Sequence, residues 1–323
     1  MRVIEIEGGA GEASALTLGR RDRPEPGPGE VLIRVRAAGV NRPDILQRRG
    51  KYPPPPGAPD ILGLEVAGEI AAVGPGVDRW APGDRACALL GGGGYAEYAV
   101  VDARHALPIP ADLDFVQAAA LPETVFTVWA NVFEAGALKA GETLLLHGAT
   151  SGIGVAAIQM ARAAGARVIA TSRGADKAAE AARLGADLAL DAAAGPFEAA
   201  VTEAGGADVV LDMVGAAYAA GNLAALRPGG RWVVIAVQGG ARAELDLAQV
   251  MRKRIVLTGS TLRGRSADEK ARLAAEVERV VWPWVASGQV KAVVDAVFPL
   301  AEAAAAHQRL ESGRHAGKVV LAV

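Results

Sequence analysis

The sequence predicts an α/β protein: a doubly wound parallel sheet in the middle of the chain and a β-rich domain built from both chain ends. Three observations carry this. Apolar strand-like runs alternate with helical stretches between about residues 140 and 260, the pattern of a parallel sheet covered on both faces. Short β-branched segments separated by Pro/Gly clusters fill the first 120 residues. Strand character then returns after residue 289. The expected domains are residues 1–120 with 289–323, and residues 121–288.

In the first part, VLIRVRAAGV (31–40) and LEVAGEIAAVG (64–74) read as strands between the turn clusters PEPGPGE, PPPPGAP and PGVDRWAPGD, and LLGGGGYAEYAVV (89–101) as strand around a glycine loop. From Ala118 the pattern changes. TLLLHG (143–148), ARVIATS (166–172), ADLALD (186–191), ADVVLDMVG (207–215), GGRWVVIAVQ (229–238) and RIVLTGST (254–261) give six strands. Helices are expected at 153–165, at 176–185 and at about 266–287. The tail reads as strand (290–300), helix (301–313) and strand (317–323), and is expected to rejoin the first domain.

Composition narrows the function classes. The 323 residues are 51% hydrophobic and 22% charged, which is globular, and 34 Lys+Arg against 36 Asp+Glu leave a net charge of −2. No basic surplus points to nucleic acid or to an anionic membrane. One cysteine, Cys87, excludes an intramolecular disulfide and any zinc site that needs two thiolates, and fits a reducing, cytoplasmic compartment. The N-terminal MRVIEIEGGAGE lacks the apolar core of a signal peptide. The longest uncharged stretch, Thr143 to Ala161, is 19 residues, but HGATSGIG breaks it, so it reads as strand, loop and helix rather than a membrane span.

That break is the strongest local signal. Gly152-Ile153-Gly154-x-x-Ala157, between a strand and a helix, matches the dinucleotide-binding fingerprint of a Rossmann unit. Small residues there permit the tight turn, the approach of backbone N–H groups to a pyrophosphate and close helix–strand packing, with the anion at the helix N-terminus. Enzymes that bind NAD place an acid about 20 residues further on, at the ribose 2′-OH. Here that position is Ser172, followed by Arg173 and Lys177, a set that suits a 2′-phosphate and favours NADPH. Solvated helix-start residues are the alternative for the two cations. A short-chain dehydrogenase reading fails, because none of Tyr52, Tyr95, Tyr98 and Tyr218 has a lysine four residues on.

Several strings in order resemble the medium-chain dehydrogenase/reductase superfamily, in particular its zinc-independent quinone oxidoreductase (zeta-crystallin-like) branch, near the tumour-suppressor-induced quinone reductase subfamily. They are AAGVNRPDILQRRGKYPPPPG, ILGLEVAGEI, LLGGGGYAEYAVV, AAALPETVFTVW, the phosphate loop and AGKVVLAV. The resemblance implies a GroES-like catalytic domain beside the Rossmann domain. Zinc members carry Cys and His where this chain has Asn41 and Leu64, and the scattered His105, His147, His307 and His315 are read as structural.

The resemblance also implies residue roles. Asn41 and Tyr52 would line the nicotinamide and substrate cleft as the catalytic pair. Thr127 and Ser151 would contact the cofactor, Lys177 with Ser172 would hold the 2′-phosphate, Ser260 and Leu262 would approach the nicotinamide, and Lys318 would reach the cofactor. Asn41 as a turn residue, Tyr52 as a loop anchor and Lys318 as a surface lysine stay open as alternatives. Relatives often have Asn-Tyr where this chain has Asp191-Ala192, so an aromatic contact to the nucleotide is absent. The implied activity is metal-free hydride or electron transfer from NADPH to a quinone. Reduction of an α,β-unsaturated carbonyl, or NADPH binding without turnover, are the alternatives. The last strands of the nucleotide sheet are apolar, an edge that proteins cover or pair, and the resemblance implies a homodimer that joins the two sheets edge to edge.

Overall fold

A computed structural model describes all 323 residues. The chain packs as two units, Met1–Phe126 with Arg263–Ala286 and Ala292–Val323, and Thr127–Leu262 with Ser287–Lys291. The segment Arg263–Ala286, expected with the nucleotide sheet it follows, thus packs in the first unit instead.

The first unit begins with a hairpin, β1 (Arg2–Ile6) and β2 (Leu16–Arg20), which the mixed string RVIEIEGG does not announce. The strands β3 (Glu30–Val40), β4 (Glu65–Val73), β5 (Arg85–Leu89), β6 (Tyr98–Asp102) and β7 (Ala106–Pro108) follow. The second unit is a six-stranded, all-parallel sheet of β8 (Thr143–His147), β9 (Arg167–Ser172), β10 (Leu188–Asp191), β11 (Ala207–Asp212), β12 (Leu226–Val234) and β13 (Val256–Gly259). Its order, β10-β9-β8-β11-β12-β13, is that of a complete doubly wound nucleotide fold. β12 starts three residues earlier than expected and ends before Ile235.

The tail returns to the first unit as β14 (Val294–Pro299) and β15 (Lys318–Ala322), giving a seven-stranded sheet, β14-β15-β3-β4-β5-β7, with β6 on β3. Both ends of the chain therefore share one core, in which Val31, Ile33, Val66 and Ile70 meet Val319 and Leu321. The helix expected at 266–287 is interrupted. Ala267–Glu276 widens into a π-helical turn at Val277–Val281 before Trp282–Ala286. Pro283 lies just beyond that turn and has no N–H to give to a preceding carbonyl.

Register in this sheet places the site. β15 runs antiparallel to β3 with Val319 opposite Val40, and β3 runs antiparallel to β4 with Ala38 opposite Val66. One step further along these ladders, Lys318, Asn41 and Glu65 converge at the end of β3.

Candidate active site

The convergence is a buried triad. Glu65 is 0% exposed, and its Oε1 accepts from Asn41 Nδ2 at 2.8 Å and pairs with Lys318 Nζ at 2.6 Å. Lys318 Nζ also donates to Asn41 Oδ1 at 2.5 Å and to the Val40 carbonyl at 3.2 Å. An ammonium has three N–H groups, and all three are used here. All three Lys318 donors thus go to groups of the chain, and they fix which way the Asn41 amide faces. Glu65 Oε2 accepts the Glu123 backbone N–H at 2.8 Å. Gly39 makes the room, since a Cβ there would collide with the Glu65 carboxylate and the Ala119 carbonyl.

A second buried chain holds the loop that carries Asn41. Asp44 accepts from the Asn41 N–H at 2.8 Å, the Gly63 N–H at 3.2 Å and the Tyr95 hydroxyl at 3.1 Å. Tyr95 Oη also lies 3.1 Å from His307 Nε2, and His307 Nδ1 lies 3.2 Å from Arg48 Nη1. Arginine only donates, so Nδ1 accepts and Nε2–H donates to Tyr95, which then donates to Asp44. That direction needs a neutral imidazole. Burial, with Arg48 beside it, pushes His307 down to about 3. Burial also pushes Asp44 up to about 6 against the hydrogen bonds it accepts. Arg48, fully buried, is closed off by Glu311 at 2.9 Å.

Tyr52 is half-buried, and its ring centroid is 5.5 Å from the Arg263 guanidinium. Burial and the Glu123 carboxyl raise its phenol, so it stays protonated. Burial first, then repulsion from Glu65, pushes Glu123 up to about 8. Cys87 is buried too, and desolvation with Glu65 nearby pushes its thiol well up, which leaves it inert.

The second unit presents the phosphate loop. Ser151 caps the helix Gly152–Ala163, its Oγ accepting from the Gly154 N–H at 3.0 Å. A Cβ on Gly154 would strike the carbonyls of Gly148 and Ala149, so this glycine serves close packing of loop on helix. Ser172 ends β9, is buried, and its Oγ has no hydrogen-bond partner. A buried orphan hydroxyl at this place fits a phosphate or ribose oxygen. Arg173 is exposed, and burial together with Arg173 lowers Lys177. Asp191 ties this loop to the next: its Oδ1 accepts from the N–H groups of Gly174 at 2.7 Å and Ala193 at 2.8 Å. Burial first, then Asp191 and Asp212 against Arg173, raises the Tyr218 phenol, and its ring packs on Phe197 with centroids 5.0 Å apart.

Thr127 and Ser260, remote in sequence, are joined by a residue the sequence did not single out. Asn131 Nδ2 donates to the Thr127 carbonyl at 2.8 Å, and Ser260 Oγ donates to Asn131 Oδ1 at 2.7 Å. Leu262 is buried. Beneath the sheet His147 sits between Thr171 Oγ1 at 2.8 Å and Asn222 Oδ1 at 2.7 Å, a packed and satisfied histidine. No group of three His, Cys, Asp or Glu side chains is placed to hold a metal ion.

Comparison with known proteins agrees with the geometry. The alcohol dehydrogenase GroES-like domain family matches residues 27–111, and the zinc-binding dehydrogenase family matches residues 184–321. A quinone oxidoreductase of Rattus norvegicus is 33% identical over 92% of this chain and 90% of its own length. A mycocerosic acid synthase-like polyketide synthase of Mycobacterium tuberculosis is 34% identical over 97% of this chain but 15% of its own. Among solved structures, an Escherichia coli quinone oxidoreductase complexed with NADPH has a TM-score of 0.90 at 29% identity, covering 100% of both chains. An NAD-dependent alcohol dehydrogenase has a TM-score of 0.87 at 34% identity, also covering 100% of both.

A discontinuous GroES-like domain with a Rossmann domain defines an oxidoreductase of the medium-chain dehydrogenase/reductase superfamily. The chain belongs to the quinone oxidoreductase branch of that superfamily.

Proposed function

We propose that the protein is an NADPH-dependent reductase of quinones, working without a metal. The observation that carries the cofactor assignment is Ser172: a buried, unpartnered hydroxyl at the end of β9, followed by Arg173 and Lys177 where NAD enzymes carry an acid. NADPH, once bound, supplies a hydride. The chain's own residues hold and align. Ser151, Gly152, Ile153 and Gly154 offer the capped helix N-terminus to the pyrophosphate. Thr127, Ser260 and Leu262 contact the cofactor, with Asn131 holding the first two.

In the first unit Asn41 acts on the reacting end with an amide whose orientation Lys318 and Glu65 fix. Tyr52, kept protonated, donates its O–H to the oxygen that gains charge. A quinone accepts electrons readily, which fits a site without a Lewis acid. Reduction of an α,β-unsaturated carbonyl is the second reading, favoured by the likeness to a polyketide synthase segment. The buried free thiol Cys87 suits a reducing, cytoplasmic setting. No helix is long and apolar enough to cross a membrane.

The cofactor assignment is tested by steady-state kinetics with one fixed quinone. Lys177→Ala is expected to raise the KM for NADPH about tenfold or more, the worth of a charge-assisted phosphate contact. The KM for NADH is expected to stay nearly unchanged. Ser172→Asp adds a like charge beside the 2′-phosphate and is expected to invert the preference. Equal effects on both nucleotides would show that these residues do not read the phosphate.

The protein is further proposed to be a homodimer through the edge of the nucleotide sheet. β13 is the last strand, and Val256, Leu257, Leu247 and Met251 on and before it are exposed. A bare apolar edge of this kind is covered or paired in stable proteins. Sedimentation at micromolar concentration is expected to give a dimer, and Leu257→Arg a monomer. A monomeric wild-type protein contradicts the assignment.

A further inference from the structure

The first unit contains a buried cation with nothing to bind. Arg263 is 5% exposed. Its Nε donates to the Gly91 carbonyl at 2.8 Å, but neither Nη1 nor Nη2 has a hydrogen-bond partner. Leaving both ends of a buried guanidinium unsatisfied is costly, and such groups in a native protein call for an explanation.

The surroundings hold the group still without satisfying it. Lys270 Nζ, also buried, donates to the Arg263 carbonyl at 2.8 Å and pins its backbone. The Tyr52 ring lies on one side. On another side Gly92 packs close: a Cβ there would collide with the Pro59 carbonyl and come to 3.4 Å from Nη2, so only glycine lets this loop approach the guanidinium, and its backbone gives Nη2 no hydrogen bond. Asp44, Tyr52 and Glu123 lie near enough to interact with the guanidinium electrostatically, Tyr52 as a neutral phenol, yet none hydrogen-bonds to its Nη atoms. With Nε committed to Gly91, the free edge is Nη1–Nη2. That edge presents parallel N–H groups, the geometry that takes two oxygens of one anion.

We propose that Arg263 anchors a carboxylate carried by the electron acceptor, so that the preferred substrates are quinones or enones bearing an acidic group. This rests on the reductase reading and narrows its substrate class. A two-oxygen anion could also come from the cofactor's pyrophosphate. The contacts of Arg263 with Tyr52 and Gly91 keep it among first-unit residues, which favours the acceptor.

The experiment compares matched acceptors, pent-3-en-2-one with 4-oxopent-2-enoate and 1,4-naphthoquinone with its 2-carboxylate, in wild type, Arg263→Gln and Arg263→Lys. Arg263→Gln is expected to lower kcat/KM for the carboxylated member at least about tenfold more than for the neutral one, mostly through KM. The KM for NADPH should hardly move. Arg263→Lys, which keeps the charge and loses the fork, should fall between and serves in place of the glutamine variant if that one fails to fold. Equal losses for both members overturn the proposal. So does a raised KM for NADPH with acceptor discrimination intact, which would give the anion to the cofactor. The non-reducible 4-oxopentanoate is also titrated calorimetrically into the protein with NADP+. Binding lost in Arg263→Gln supports the anchor, and no binding in wild type overturns it. That titration reads the anchor even if no quinone or enone is turned over, the result that would instead remove the reductase reading.

Discussion

Glu65→Ala is expected to destabilise the first unit by roughly 3–5 kcal/mol, the usual cost of leaving one member of a buried ion pair alone. Without the carboxylate, the Lys318 ammonium would keep only two neutral acceptors, Val40 O and Asn41 Oδ1. Asn41 would lose its Nδ2 partner, and the Glu123 N–H its only acceptor at that point. The companion variant Lys318→Met should be damaging for the mirror reason, a buried carboxylate without its cation. The double variant Glu65→Leu/Lys318→Met should recover part of the loss, because apolar groups of similar volume often replace a buried pair at little cost. Denaturant unfolding of wild type, Glu65→Leu, Lys318→Met and the double variant gives the coupling as a double-mutant cycle. A coupling near zero would mean the three side chains do not act as a unit. Activity separates the two roles of the triad: the double variant should fold yet turn over slowly, since nothing then orients Asn41.

The fold was legible because its signal is local. Strands buried on both faces read as unbroken apolar runs such as TLLLH and VVLD, and helices between them fix the parallel order. The phosphate loop was legible for the same reason, since its residues are consecutive. The hairpin β1–β2 was not, because RVIEI alternates too briefly next to glycines. Most of the first-unit network was also out of reach. Arg48 meets His307 across 259 residues, and Lys318 meets Asn41 across 277. Only the register of β15 on β3 brings the second pair together, and spacing along a chain carries no register. Lys318 was singled out by resemblance as a cofactor contact, and its contacts within the chain, Asn41 and Glu65, carried no mark in the sequence. One signal was available for Glu65: an acid inside the apolar strand segment LEVA. Its solvent-facing alternative fails because Glu65 is buried along with Leu64 and Val66, which face the other side of the strand, so both faces are covered here. Arg263 had no such mark, because its meaning lies in what it does not touch.

Glu123→Gln is expected to stabilise the protein at pH 9 and to leave it nearly unchanged at pH 5. Burial, with Glu65 beside it, raises the Glu123 carboxyl from 4.5 to about 8. Lys318 and Arg263 pull the other way without prevailing. A carboxyl whose folded value lies above its unfolded value binds more protons in the folded state between the two. The stability associated with it is therefore complete below about 4.5 and is lost as pH rises through about 8. A rise of this size corresponds at most to about 5 kcal/mol. Glu123 is part-exposed, so a few kcal/mol is the scale to expect. Glutamine keeps the shape of the protonated acid and cannot ionise, which removes the loss above neutral pH. Asp44, raised to about 6, and His307, lowered to about 3, titrate in opposite senses, but both remain in variant and wild type and cancel in the difference. The measurement is denaturant unfolding of both proteins at pH 5, 7 and 9. A variant-minus-wild-type difference that grows with pH places the titration at Glu123. A constant difference would mean that the carboxyl is already ionised in the folded protein at pH 5, and that Glu65 and Glu123 are better screened from one another than their burial implies.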